Sequence, residues 1–103
     1  MYVRVWEYEV AAEHLAAFLA AYGAEGDWAR LFRAGRGFLG TELYRRTDDE
    51  AGFVTVDRWQ DQGAWRDFLE EHRESYDRLD EALTHVSSSQ RRLVEGADGE
   101  RSG

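Results

Sequence analysis

Between Gly52 and Leu83 the spacing of apolar residues switches from one secondary structure to another. Phe53, Val54, Thr55, Val56 and Trp59 have the β-branched and aromatic density of a strand. Trp65, Phe68, Leu69, His72, Tyr76, Leu79 and Leu83 then recur at steps of three and four, the spacing of one face of a helix. A strand that runs straight into a long amphipathic helix must find a sheet for that helix to lie on. One face of the helix gathers two large aromatics, an imidazole and a phenol. With the strand beneath it, Asp57 or Arg58 and Trp59 come close to that face, a mixture suited to a small-molecule pocket.

The rest of the chain supplies the sheet. Residues 2 to 10 alternate, with Val3 and Val5 on one side and Tyr2, Arg4, Trp6 and Tyr8 on the other, and read as a first strand. Both sides are bulky, so helices on one face would leave Trp6 and Tyr8 wet unless a second subunit covers them. From about Ala11 the period becomes helical, with Leu15, Phe18, Leu19 and Tyr22 in a stripe and Gly23 as a stop. Asp27 is placed as the N-cap of a second short helix carrying Trp28, Leu31 and Phe32, ended by Gly35 and Gly37. Residues 38 to 46 alternate as a second strand, TDDEAG is a turn, and 53 to 60 complete a hairpin. Asp61 caps the long helix, which is expected to bend or divide near 72 to 75, and His85 to Val94 is a weak final strand. The order β, α, β, β, α, β predicts an α+β, ferredoxin-like fold: a four-stranded antiparallel sheet with helices on one face. Residues 1–95 form the domain, and 96–103 are expected to be a disordered tail.

Absences narrow the chemistry. The 103 residues contain no Cys, Pro, Lys, Asn or Ile, and all 13 basic residues are Arg. Thiol nucleophiles, thiolate metal sites, Schiff-base lysines and phosphate-loop lysines are therefore excluded. A net charge of −8 disfavours nucleic acid as a partner, since phosphate contacts need a concentrated basic face. No run approaches the ~20 apolar residues of a membrane span, and MYVRVWEYEV lacks the pattern of a signal peptide, so a cytoplasmic protein that does not enter the membrane is expected. No two His stand at metal-binding spacing, His14 and His85 being isolated, and no metal or cofactor is predicted.

Among the remaining groups His72 is the sharpest candidate base, because an imidazole on a pocket helix can take a phenolic or enolic proton near neutral pH. Tyr76, one turn on, is placed to orient a ligand. Trp28, Phe32, Trp59, Trp65 and Phe68 are candidate stacking surfaces for a planar substrate, although stripes at these spacings more often build core. Asp57 and Arg58 are adjacent on a strand and face opposite sides, and the pattern does not say which enters the pocket. An ion pair with Arg4, Glu7 or Glu42 is the structural alternative for either. Glu7 and Glu42 face inward in some registers and become candidate bases there.

The segments VRVWEYEV, WARLF leading into GFLGTELYRR, VDRWQDQGAW, and a helix ending in YDRLDEAL resemble the antibiotic biosynthesis monooxygenase family of dimeric α/β barrels, over about residues 2 to 94. The resemblance implies a homodimer with a pocket between each sheet and its helices. In some members it implies oxygenation of phenolic or polyketide substrates by O2 without flavin, haem or metal. Other members degrade haem with an Asn from the first strand and a Trp and a His from the second half. Here the first-strand position falls near Glu7, Phe68 stands for the Trp and a residue near Arg78 for the His, so haem degradation is disfavoured. The expectation is a cofactor-independent monooxygenase acting on a small aromatic or polyketide-like substrate with O2. The alternative is a non-catalytic dimeric barrel that binds a small ligand or is packed solid.

Overall fold

Buried and half-buried residues alternate along β1 (Tyr2–Glu9), and the buried set is Tyr2, Arg4 and Tyr8. The side of this strand that carries the aromatics is therefore the side the helices cover. This corrects the expectation that Trp6 and Tyr8 would lie on the open face: Tyr8 is core and Trp6 packs against it, while Val3, Val5 and Glu7 face away. The physical reason is volume, because two short helices and one long one leave a gap above the sheet that valines would not fill.

The computed structural model describes residues 1–98. After β1 come a 3-10 turn (Ala12–His14), α1 (Leu15–Tyr22), α2 (Asp27–Phe32), β2 (Phe38–Arg45), β3 (Gly52–Trp59), α3 (Gln62–Ala82) and β4 (Ser89–Ala97). The strands pair antiparallel in the order β2-β3-β1-β4, the ferredoxin-like arrangement the sequence predicts. Among the described residues no helix is long and apolar enough to cross a membrane.

Local chemistry explains the boundaries. Asp61 caps α3 by accepting the Ala64 amide at 2.8 Å. The cap of α2 is Gly26, not Asp27, which is the first helical residue and pairs with Arg30 one turn on. Gly40 has a φ of +142° and sits beside the irregularity that shifts the β2–β3 register between Phe38 and Gly40. A Cβ at Gly37 would lie 2.4 Å from that of Ala64, so β2 can start against α3 only without a side chain there.

β4 begins later than the sequence suggests. His85 to Ser88 are spent bringing the chain from α3 to the sheet edge, with Val86 buried at the helix end and the Ser88 amide donating to Glu9 O at 2.9 Å. At the other end Gly96 and Ala97 belong to β4, and Asp98 N donates to Met1 O at 2.9 Å. Residues 99–103 of the expected tail lie outside the described residues.

The core is an aromatic lattice. Phe32 sits among Trp28 at 5.6 Å, Trp59 at 5.6 Å and Phe68 at 5.4 Å between ring centroids. Trp59 and Phe18 are wholly buried. Such rings bury roughly 150–250 Å² each, so each contributes about 4–6 kcal/mol of transfer free energy, an upper bound.

Candidate active site

In an antiparallel sheet residues in register share a face, so the helix-facing row running across β2, β3, β1 and β4 is Thr41, Asp57, Arg4 and Glu95. This polar row lies beneath helices that bring mostly rings, Tyr22 from α1, Trp28 and Phe32 from α2, Trp65 and Tyr76 from α3, with the Asp80 carboxylate of α3 beside them. Between the row and the rings is a cleft of about 500 Å³, open mouth included. Arg4, Trp6, Tyr8, Thr41, Thr55 and Asp57 form its floor.

Asp57 is the unusual group in it. Its carboxyl is buried, and burial pushes its pKa up to about 6; the Thr41 hydroxyl, which donates to Oδ1 at 2.6 Å, and the Arg4 cation pull the other way. Among the described residues Asp57 has no ion pair. Arg4 pairs instead with Glu95 at 2.7 Å and lies 4.1 Å from the Trp65 ring centroid. Burial also raises the Tyr8, Tyr22 and Tyr76 phenols above their ordinary range, so all three stay protonated as donors. The Trp28 Nε1 is buried and near the Tyr22 hydroxyl, yet makes no hydrogen bond. A buried donor without an acceptor costs about 1–3 kcal/mol, which a ligand oxygen would recover. The arrangement presents one carboxylate base near neutral pH, several neutral donors, and flat apolar walls.

The profile of the antibiotic biosynthesis monooxygenases matches residues 1–75. The chain belongs to the antibiotic biosynthesis monooxygenase family. Solved structures agree on the fold. A candidate antibiotic biosynthesis monooxygenase from Deinococcus radiodurans superposes with a TM-score of 0.78 at 18% identity, over 100% of this chain and 97% of that one. SnoaB, a cofactor-independent oxygenase from Streptomyces nogalater, gives 0.65 at 22% over 90% of each chain. The ActVA-Orf6 monooxygenase of Streptomyces coelicolor, in complex with nanaomycin D, gives 0.66 at 21% over 99% of this chain and 91% of that one. No curated protein matches.

In this member of the family the cleft brings together five residues singled out from the sequence: Trp28, Phe32, Asp57, Trp65 and Tyr76. Trp59 and Phe68 belong to the core and do not line the cleft. His72 is elsewhere. Its backbone leaves helical values (φ −124°, ψ 23°) at the bend expected near 72 to 75, and that break removes the regular one-turn relation between His72 and Tyr76. The imidazole packs 5.3 Å from the Phe68 ring centroid, with Nε2 3.7 Å from the Glu71 carboxylate.

The choice between Asp57 and Arg58 resolves in favour of Asp57, since Arg58 turns to the opposite face and pairs with Glu42 at 2.7 Å. Glu7 and Glu42 are both on that outer face, Glu7 held by Arg46 at 2.8 Å and Arg91 at 3.0 Å, so neither can reach the cleft as a base. Sequence reasoning missed Arg4, Tyr8 and Thr41 as lining residues. The signal for the first two was the larger side of β1, and for Thr41 its register with Asp57.

Proposed function

We propose that the protein is a cofactor-independent monooxygenase that oxygenates a small phenolic or polyketide-like aromatic with O2, and that Asp57 is its base. The observation that carries this reading is a buried carboxylate without an ion pair, facing an aromatic-walled cleft. The names of SnoaB as a cofactor-independent oxygenase and of ActVA-Orf6 as a monooxygenase with a bound small molecule support it.

Asp57 takes a proton from the ring hydroxyl or from the activated ring CH2 of the substrate. A proton moving from a group with a pKa near 10 to one near 6 is uphill by about four units, roughly 5 kcal/mol. Donors that favour the anion must offset part of this, and Trp28 Nε1, Arg4 and the protonated Tyr76 stand on the cleft wall to do so. The electron-rich anion then gives one electron to O2, and the substrate radical and superoxide combine in a C–O bond. Asp57 returns its proton to the peroxide, and cleavage of the O–O bond, with the second hydrogen of the CH2 leaving as a proton that joins the departing hydroxide, yields a C=O group and one water. The substrate supplies the electrons that a flavin or metal would otherwise carry. The aromatic walls hold the radical pair away from solvent.

Val3, Val5, Val54 and Val56 on the outer face are half-buried, and Val94 beside them is 49% exposed. The ion pairs Glu42–Arg58 and Glu7–Arg46 border them. An apolar row on an uncovered sheet with a charged border supports a homodimer that packs sheet against sheet.

The test is oxygen uptake by metal-free, flavin-free protein against anthrones and hydroquinones. Uptake that falls by 10²-fold or more in Asp57→Asn and stays within about twofold in His72→Ala is expected. Loss in His72→Ala with Asp57→Asn active would return the base role to the imidazole. Saturable binding with no uptake would make the protein a ligand-binding module.

A further inference from the structure

Arg4 has a carboxylate on each flank. Across β1 and β3 it is in register with Asp57, and across β1 and β4 with Glu95. Both acids project from the helix-facing side of the sheet, so one guanidinium has two anions within its reach and binds one of them. Its Nη1 is 2.7 Å from Glu95 Oε1. Further contacts hold it on that side: the Tyr2 hydroxyl bonds to Glu95 and lies 3.5 Å from Arg4 Nη1, and Trp65 lies against the guanidinium at 4.1 Å. Arg92 bonds the second Glu95 oxygen at 2.6 Å and fixes that carboxylate in turn.

Asp57 is thereby left without a counter-ion. Tyr8 faces it from β1, Thr41 from β2 and Tyr76 from α3. Tyr22 of α1 and Asp80 of α3 complete the titratable lining of the cleft, and α2 adds only Trp28 and Phe32. Among these groups Arg4 alone is a cation.

We propose that Glu95 is a positioning residue: it holds the Arg4 guanidinium at the β4 side of the cleft and so leaves the Asp57 carboxylate unpaired and free to accept a proton from the ligand. The proposal rests on Asp57 acting as the base. A guanidinium moved onto a buried carboxylate lowers its pKa by about one to three units, which makes it a base weaker by about 10- to 10³-fold. The Arg4–Glu95 pair then serves the chemistry of a residue that neither member of the pair touches through a salt bridge.

The experiment is a carboxyl-carbon NMR titration of Asp57 in the full chain, run for Glu95→Gln in the Arg4 and in the Arg4→Gln background, with the pH profile of kcat/KM alongside. Glu95→Gln is expected to lower the Asp57 midpoint by about one unit or more when Arg4 is present, and by much less when it is Gln. An equal shift in both backgrounds would reduce Glu95 to a distant charge and overturn the proposal, as would no shift. If Glu95→Gln does not fold, Glu95→Asp keeps the charge, withdraws it from Arg4, and is expected to shift Asp57 in the same direction. The titration needs no turnover, so an inactive protein would refute the monooxygenase reading and leave the Arg4–Glu95 result standing. A downward shift in the titration with no change in the kcat/KM profile would reject Asp57 as the base instead.

Discussion

Thr41 and Asp57 face each other across β2 and β3, and the Thr41 hydroxyl donates to Asp57 Oδ1 at 2.6 Å. This bond orients the carboxylate and, because it favours the charged form, opposes the upward push of burial. Thr41→Val keeps the shape and removes the donor. The acid limb of the kcat/KM profile, set by ionisation of Asp57, is then expected to move to higher pH. A limb that stays in place would separate Asp57 from the step that limits the rate.

The same burial makes Asp57 a cost to the fold at neutral pH. Its folded pKa of about 6 lies above the ordinary 3.8, so the native state holds a proton that the unfolded chain releases. Its contribution to stability is therefore fully present below about pH 4 and lost as pH rises through 6. Two units correspond to roughly 3 kcal/mol. Asp57→Asn is expected to be inactive yet more stable than the native chain at pH 7, with the difference vanishing near pH 4. Denaturant melts at the two pH values check it.

Trp28 Nε1 is a buried donor without an acceptor. If a ligand oxygen meets it, Trp28→Phe removes one neutral hydrogen bond and ligand affinity should fall about 3- to 10-fold, while the smaller ring leaves a gap in the core that lowers stability by about 1–2 kcal/mol. Titration of Trp fluorescence with a hydroquinone would measure the first, calorimetry the second. Unchanged affinity would place the ligand away from this wall.

Val56 stands in the row of half-buried valines on the outer sheet face. A charge there would have to be desolvated between two sheets, so Val56→Arg is expected to give monomers by light scattering after gel filtration. Dimers that persist in this variant would move the interface off the sheet.

The sequence reading was most accurate where the signal is local. The Asp61 cap, the bend at His72 and the strand-to-helix switch depend on residues within a turn or two of each other, and the chain shows them directly. It was least accurate where two faces compete. Both sides of β1 are bulky, so period-two alternation said that the faces differ without saying which one the helices cover. The assignment of His72 as base rested on regular helical spacing that the backbone at that residue does not keep.

Spacing and residue type were thus enough for the order of elements, the antiparallel sheet and the aromatic helices above it, because those follow from period and from turn chemistry. The choice of Asp57 over Arg58, Glu7, Glu42 and His72 as the group at the cleft came from packing. The pKa of a carboxyl rises toward neutrality when water is taken from it and no cation pairs with it. Here that environment is assembled from Arg4, Thr41, Trp65 and Glu95, residues far apart in the chain that meet only when four strands pair and the helices close over them.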